Sequence, residues 1–305
     1  MSTTTLTTPE TAQGVAPAVR AEHGTSKLTL WLVLAGLLAV FAPTVVWLWG
    51  RWTLSVWHNA HGLLLVGVVA YFIREELLAL RHLPRSSNPW GFAILLPALA
   101  LHALDAGMHT ELLGAGALIL ALPGLSLLML GTERTKAILV PLLILGLALP
   151  IPLSFTERIH LALRHVATAG TAWIVPYLGI PVFVEGTTMN TAHGALEVAD
   201  ACSGFSTLYA AVAVAMLTAY QAASPARRLL VLLAAAPIAI ASNILRVTLL
   251  VVLVAWQGGE ILDTFVHSLS GMMTFALSLP IIFWLGGAQR AAAAPTTAPP
   301  RATTA

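Results

Sequence analysis

Apolar runs long enough to cross a hydrocarbon core of about 30 Å recur along this chain, at roughly 28–49, 59–80, 90–106, 110–131, 137–153, 203–222, 228–255 and 267–287. Repetition of that kind constrains the fold more than any single motif: the chain reads as an all-α polytopic membrane protein of about eight transmembrane helices. Composition agrees. The 305 residues are 58% hydrophobic and only 9% charged, against about 25% charged in an ordinary globular chain. A soluble enzyme, a nucleic-acid-binding domain and a disordered regulator are thereby excluded, and no nucleic-acid partner is expected. Membrane lipids are the expected surroundings.

Residues 1–27 are rich in Thr, Ala and Pro and contain no apolar stretch, so they read as a disordered cytoplasmic tail. No cleavable signal peptide precedes Leu28, and the first run is expected to act as an uncleaved anchor. Residues 289–305, mostly Ala, Pro and Thr, read as a second disordered cytoplasmic tail, leaving 28–288 as the membrane core. Basic residues fall in alternate loops: Arg20 and Lys27, Arg81 and Arg85, Arg134 and Lys136, Arg227 and Arg228, Arg290 and Arg301. That alternation predicts both termini on the cytoplasmic side.

The segment 154–202 is too long for a turn. Glu157 to Tyr177 is amphipathic and predicts a helix lying at the outer membrane interface. Val182 to Gly186 and Ala195 to Val198 flank a Thr/Asn/His/Gly loop and predict a small β-hairpin, completing an extracytoplasmic cap.

Three polar residues share one depth in this topology. Cys202, the only cysteine, opens the sixth run at its outer end. Arg246 lies in the seventh run roughly 27 Å beyond Arg228, which places it near the outer interface. His267 opens the eighth run on the same side. Each has a plainer explanation: a lone Cys packs as a small hydrophobe, Arg246 snorkels, and His267 is one of ten histidines. Together they fit nucleophile, electrostatic stabiliser and general base of acyl transfer. Ser203 and Gly204 follow Cys202 at a helix start, where free N–H groups and the dipole favour thiolate and help hold an oxyanion. Asn243, one turn before Arg246, adds a second polar group to its helix face.

Competing signatures are weak. There is no H-E-x-x-H, P-loop, G-x-G-x-x-G or membrane aspartate pair. His160 and His165 are five apart and make a poor metal site, and the residues before Ser203-Gly204 do not match a membrane serine protease motif. No metal or other cofactor is expected.

Ala201-Cys-Ser-Gly204, Asn243-Ile-Leu-Arg-Val247 and His267 with Gly271 four residues on resemble, in order and approximate spacing, the exosortase/archaeosortase family. The specific part of the resemblance covers about 180–275, the catalytic part of the core. It implies a membrane-embedded cysteine protease/transpeptidase acting on secreted proteins with a C-terminal sorting tail: a signature such as Pro-Glu-Pro, a transmembrane helix and a basic cluster. Cys202 would attack the peptide carbonyl, His267 would transfer protons, and Arg246 would stabilise the oxyanion or orient the thiolate. The acyl group would pass to a surface acceptor, a glycan or a lipid, near the outer face of the bacterial inner membrane. Bacterial members are associated with exopolysaccharide production. Two other classes remain open at this point: a polytopic transporter with Arg246, Asn243 and Glu185 along a solute path, and a non-catalytic exopolysaccharide-assembly protein.

Overall fold

The computed structural model describes residues 27–53, 61–84, 86–199 and 202–287. The expected tails, 1–27 up to residue 26 and 289–305, lie outside the described residues, as do Arg85 and Ala201.

The protein is mostly helical. Four described helices are long and apolar enough to cross a membrane, and five if one bent pair is taken as a single span. That pair is α1 (Lys27–Val40) and α2 (Ala42–Thr53), which replace the single straight run expected at 28–49 and meet at 68°. Pro43 supplies the break, because its ring displaces the carbonyl one turn earlier and it has no N–H to donate. Phe41 fills the bend, fully buried, and His102 packs on its ring while its Nε2–H donates to the Val40 carbonyl at 3.0 Å.

α3 (His61–Ala79) carries Arg74, Glu75 and Glu76 in its last turns and α7 (Phe205–Gln221) has 17 residues, so neither meets the length and polarity of a full span. α4 (Gly91–Met108) packs on α5 (Leu112–Ile144), a helical run that counts once in the total of four. Yet Ser126 Oγ lies 2.9 Å from Thr135 Oγ1. Nine residues of straight helix would separate them by roughly 13.5 Å. The chain therefore folds back at Gly131, whose φ of +79° and close approach to Ser86 leave no room for a side chain. Arg134, just past the reversal, is buried and donates to the carbonyls of Leu80 and Leu83 at 3.2 and 2.6 Å, closing the C-terminal end of α3.

α6 (Leu153–Ile174) occupies the amphipathic segment and turns a face of threonines and one histidine toward the protein. Thr156, His160, Thr168 and Thr171 are buried, while Phe155, Ile159, Leu161, Val166 and Trp173 are exposed. Thr171 Oγ1 bonds the Ile244 carbonyl at 3.4 Å and Gly170 sits against Ile244, so α6 packs directly on α8 (Pro225–Gln257). The exposed face carries Glu157, Arg158 and His165 beside these apolar side chains, and α6 is not among the described helices long and apolar enough to cross a membrane.

In place of a two-stranded hairpin there is an antiparallel meander of β1 (Phe183–Glu185), β2 (Thr188–Thr191) and β3 (Gly194–Glu197), paired in that order. The polar stretch expected as a loop is its central strand. Only Met189 of that strand is buried, opposite Leu196. With Val198 they form one core with Cys202, Val247, Leu250 and Val251. The meander thus rests on the last turns of α8 and delivers the chain to Cys202. α9 (Phe265–Gly286) closes the bundle against α7 and α8, its first turn capped by Thr264.

Candidate active site

Cys202 stands in the turn between the meander and α7, where Gly204 provides the N-terminal cap with φ +82°. A Cβ on Gly204 would fall 2.4 Å from Asn243 Cγ, so this turn approaches α8 as closely as only glycine allows. Asn243 uses that closeness: its Nδ2 donates to the carbonyls of Cys202 and Ser203 at 3.2 and 3.0 Å. Ser203, buried, lies 2.9 Å through Oγ from His160 Nδ1 on α6, and the same Oγ accepts from Phe205 N at 3.2 Å. Two helices thereby fix the three-residue turn that holds the thiol.

The Cys202 Sγ lies 3.4 Å from His267 Nε2 and 4.0 Å from Nδ1. Imidazole and thiol are in hydrogen-bond range, so a proton can pass from sulfur to ring nitrogen as the sulfur attacks an electrophile. Arg246 is one helical turn from Asn243, on the same face of α8 and also buried. Its Nε donates to Ser270 Oγ at 3.2 Å and its Nη2 to the His267 carbonyl at 3.4 Å, while Ser270 Oγ donates to that same carbonyl at 2.7 Å. Gly271 keeps a Cβ away from the guanidinium, whose Cζ would be 3.2 Å off. The guanidinium fork fastens the first turn of α9, and hence His267, to α8. Arg246 is also not at the end of its helix, since α8 continues for about three turns to Gln257 beneath the meander.

Thiolate formation is governed differently from what the helix start alone suggests. Burial pushes the Cys202 thiol up from its ordinary range, and the Arg246 charge pulls in the opposite direction with smaller effect. The backbone N–H of Cys202 is already given to the Ala199 carbonyl at 2.9 Å, so it is not a ready oxyanion donor. Burial thus favours the thiol over the thiolate at rest, and His267 stands where it can take the proton as the sulfur attacks. Removing the cation should push the thiol further up. Alkylation of Cys202 by iodoacetamide is expected to follow a pH profile with its midpoint above the usual thiol value, and Arg246→Gln should move that midpoint higher and slow labelling at any fixed pH below it. A midpoint unchanged or lowered in Arg246→Gln would remove the guanidinium from the electrostatics of the thiol.

Cys202, Ser203, Gly204, Asn243, Arg246 and His267 thus meet around one turn between α7, α8 and α9. Glu185 is exposed on β1, whereas Arg246 and Asn243 are buried, and none of the hydrogen bonds of those two residues described above involves it. His160 and His165 are roughly 140° apart around α6, one buried and the other exposed, which rules them out as a metal pair. Two residues of the site escape a reading by motif. Ser270 was signalled only by its position three residues after His267, and His160 only by being a histidine on an otherwise Thr-rich helix face.

A helical membrane protein with a buried cysteine, a buried arginine and a half-buried histidine on consecutive segments is the class that this geometry defines. The transmembrane exosortase family matches residues 49–284, and the chain belongs to that family, whose members are generally cysteine peptidases or transpeptidases. No curated protein and no solved structure matches the chain.

Proposed function

We propose that this protein is a cysteine protease/transpeptidase that cleaves C-terminal sorting tails, of the Pro-Glu-Pro, transmembrane helix and basic cluster type, from secreted proteins. The observation that carries the reading is the 3.4 Å approach of Cys202 Sγ to His267 Nε2. Sγ attacks the scissile carbonyl while its proton passes to His267, giving a tetrahedral intermediate with charge on the former carbonyl oxygen. The Arg246 cation, close enough to influence the thiol, offsets that charge. Collapse breaks the C–N bond, His267 returns the proton to the leaving amine, and the retained protein is left as a thioester on Cys202. A glycan or lipid acceptor at the surface, or water, then resolves the thioester with His267 as base.

The site is set near the outer face of the bacterial inner membrane with both termini cytoplasmic, a topology supported by the alternation of basic loops. In that arrangement a tail helix lies in the bilayer beside the enzyme and presents the bond just outside the lipid without diffusion from bulk water. The meander shares its core with Cys202 and shields the thiol from solvent on that side, which favours transfer over hydrolysis. Neither a permeation path nor an assembly scaffold needs a thiol held in contact with an imidazole.

Mass spectrometry of a tail-bearing protein from cells with and without this enzyme tests the reading. The expected result is a new C-terminus at the signature, carrying an added acceptor mass, only when the enzyme is present. Full-length tails in both cultures would refute it.

A further inference from the structure

A cavity of about 370 Å³ opens beside the Cys202 turn rather than over the thiol. Its inner wall is Phe205, the residue that follows Gly204, together with His160, which bonds Ser203; its outer wall is Trp47 and Arg51 of α2. Phe205 and Tyr209 stack with their rings parallel within 10° at 6.0 Å, and the Arg51 guanidinium lies 5.3 Å over the ring of Trp47. Glu111 shares the wall and is held at φ +60°, a conformation uncommon for a residue with a side chain and one found at binding sites. Among the described residues, neither Arg51 nor Glu111 takes part in an ion pair. A concavity that sets a cation and an anion, neither in an ion pair among the described residues, beside three aromatic rings offers one ligand both a charged and an apolar surface.

We infer that this cavity binds the substrate segment next to the scissile bond, with Arg51 holding a single carboxylate side chain and the rings of Trp47, Phe205 and Tyr209 holding proline or other apolar residues on either side of it. The inference rests on the sorting-protease reading above. Three features select the ligand. A guanidinium fork matches a carboxylate in two parallel hydrogen bonds, a geometry that no other charged group of an ordinary peptide provides. The aromatic faces accept saturated rings and aliphatic chains without asking for hydrogen bonds. Glu111 repels a run of acids but tolerates one acid paired to Arg51, so an isolated acidic residue among uncharged neighbours is preferred over an acidic cluster. Phe205 lies three residues beyond Cys202, so a peptide anchored in the cavity has its next residues directed along the turn that holds the thiol.

The test uses the full-length enzyme in its membrane and two tail-bearing substrates that differ only in a Glu or a Gln at the signature acid. Arg51→Gln is expected to raise KM for the Glu substrate by about tenfold or more while leaving kcat within about twofold, and to change KM for the Gln substrate by less than about threefold. Arg51→Glu should invert the preference, favouring a Lys-bearing signature over the Glu one. Equal losses on the Glu and Gln substrates, or no loss on either, would overturn the inference. Alkylation of Cys202 at the wild-type rate verifies that each variant is folded. If Arg51→Gln fails that check, Arg51→Lys serves instead, with a KM increase expected for the Glu substrate alone and equal effects on both contradicting the assignment. Failure of the wild-type enzyme to process any tail would sink the protease reading itself, whereas processing that depends on Cys202 but ignores Arg51 would sink only the cavity assignment.

Discussion

Replacing Cys202 by alanine is expected to abolish tail processing, with a fall of at least about 10⁴-fold, because a covalent step has no other nucleophile in place. Ser203, the hydroxyl next to Cys202 in the chain, is engaged with His160 and with the backbone of Phe205, and the Asn243 amide holds the turn from the other side. It cannot swing into the position of the sulfur without breaking those bonds. The substitution removes one atom from a buried site and costs on the order of 1 kcal/mol of stability, so the protein should still insert and accumulate. Pulse labelling of a tail-bearing substrate in cells expressing equal amounts of either form measures the difference. Processing at the normal rate by Cys202→Ala would discard the covalent mechanism.

The second large effect is expected from Arg246→Lys, a change that preserves charge. The guanidinium reaches Ser270 through Nε and the His267 carbonyl through Nη2, two directions fixed by one planar group. An ammonium is a point charge on a flexible stem and cannot hold both at once. The first turn of α9 would loosen, and His267 would lose its placement against the sulfur. We expect kcat/KM to fall by about 100-fold, equivalent to roughly 2.7 kcal/mol of transition-state stabilisation. The same variant should keep the Cys202 alkylation profile closer to wild type than Arg246→Gln does, because the charge remains. Wild-type processing by Arg246→Lys would reduce the arginine to a source of charge alone.

The sequence announced the site more clearly than the scaffold. A cysteine, an arginine and a histidine each interrupt an apolar background, where a polar group is costly and therefore conspicuous, and their order along the chain resembles one family. Asn243 was legible for the same reason. His160 and Ser270 were not, because a histidine on an amphipathic helix and a serine one turn beyond another polar residue both have ordinary explanations. Their role emerges only from tertiary contacts with Ser203 and Arg246.

The scaffold hid one break inside an apolar run. The bend at Phe41 interrupts a helix without interrupting hydrophobicity, so a count of runs is blind to it, whereas the reversal at Gly131 opens the polar stretch 131–136 that separates the fourth run from the fifth. The helix α6 was legible as amphipathic, but its packing was not. The pattern reports two unlike faces without naming their partners, and here the Thr171 side turns inward, where α8 offers it the Ile244 carbonyl and the Thr248 hydroxyl. The central strand of the meander, Thr188 to Thr191, has a single buried residue, Met189, which is too little alternation to distinguish a short strand from a polar loop.

The most direct measurement of the account is the identification of the covalent intermediate. Enzyme and tail-bearing substrate would be quenched in acid during turnover, digested, and the peptide containing Cys202 weighed. The account predicts that this peptide carries the mass of the substrate residues preceding the cleavage point, joined by a thioester that hydroxylamine releases and that does not form in Cys202→Ala. A Cys202 peptide of unmodified mass throughout turnover, with cleavage proceeding normally, would contradict it.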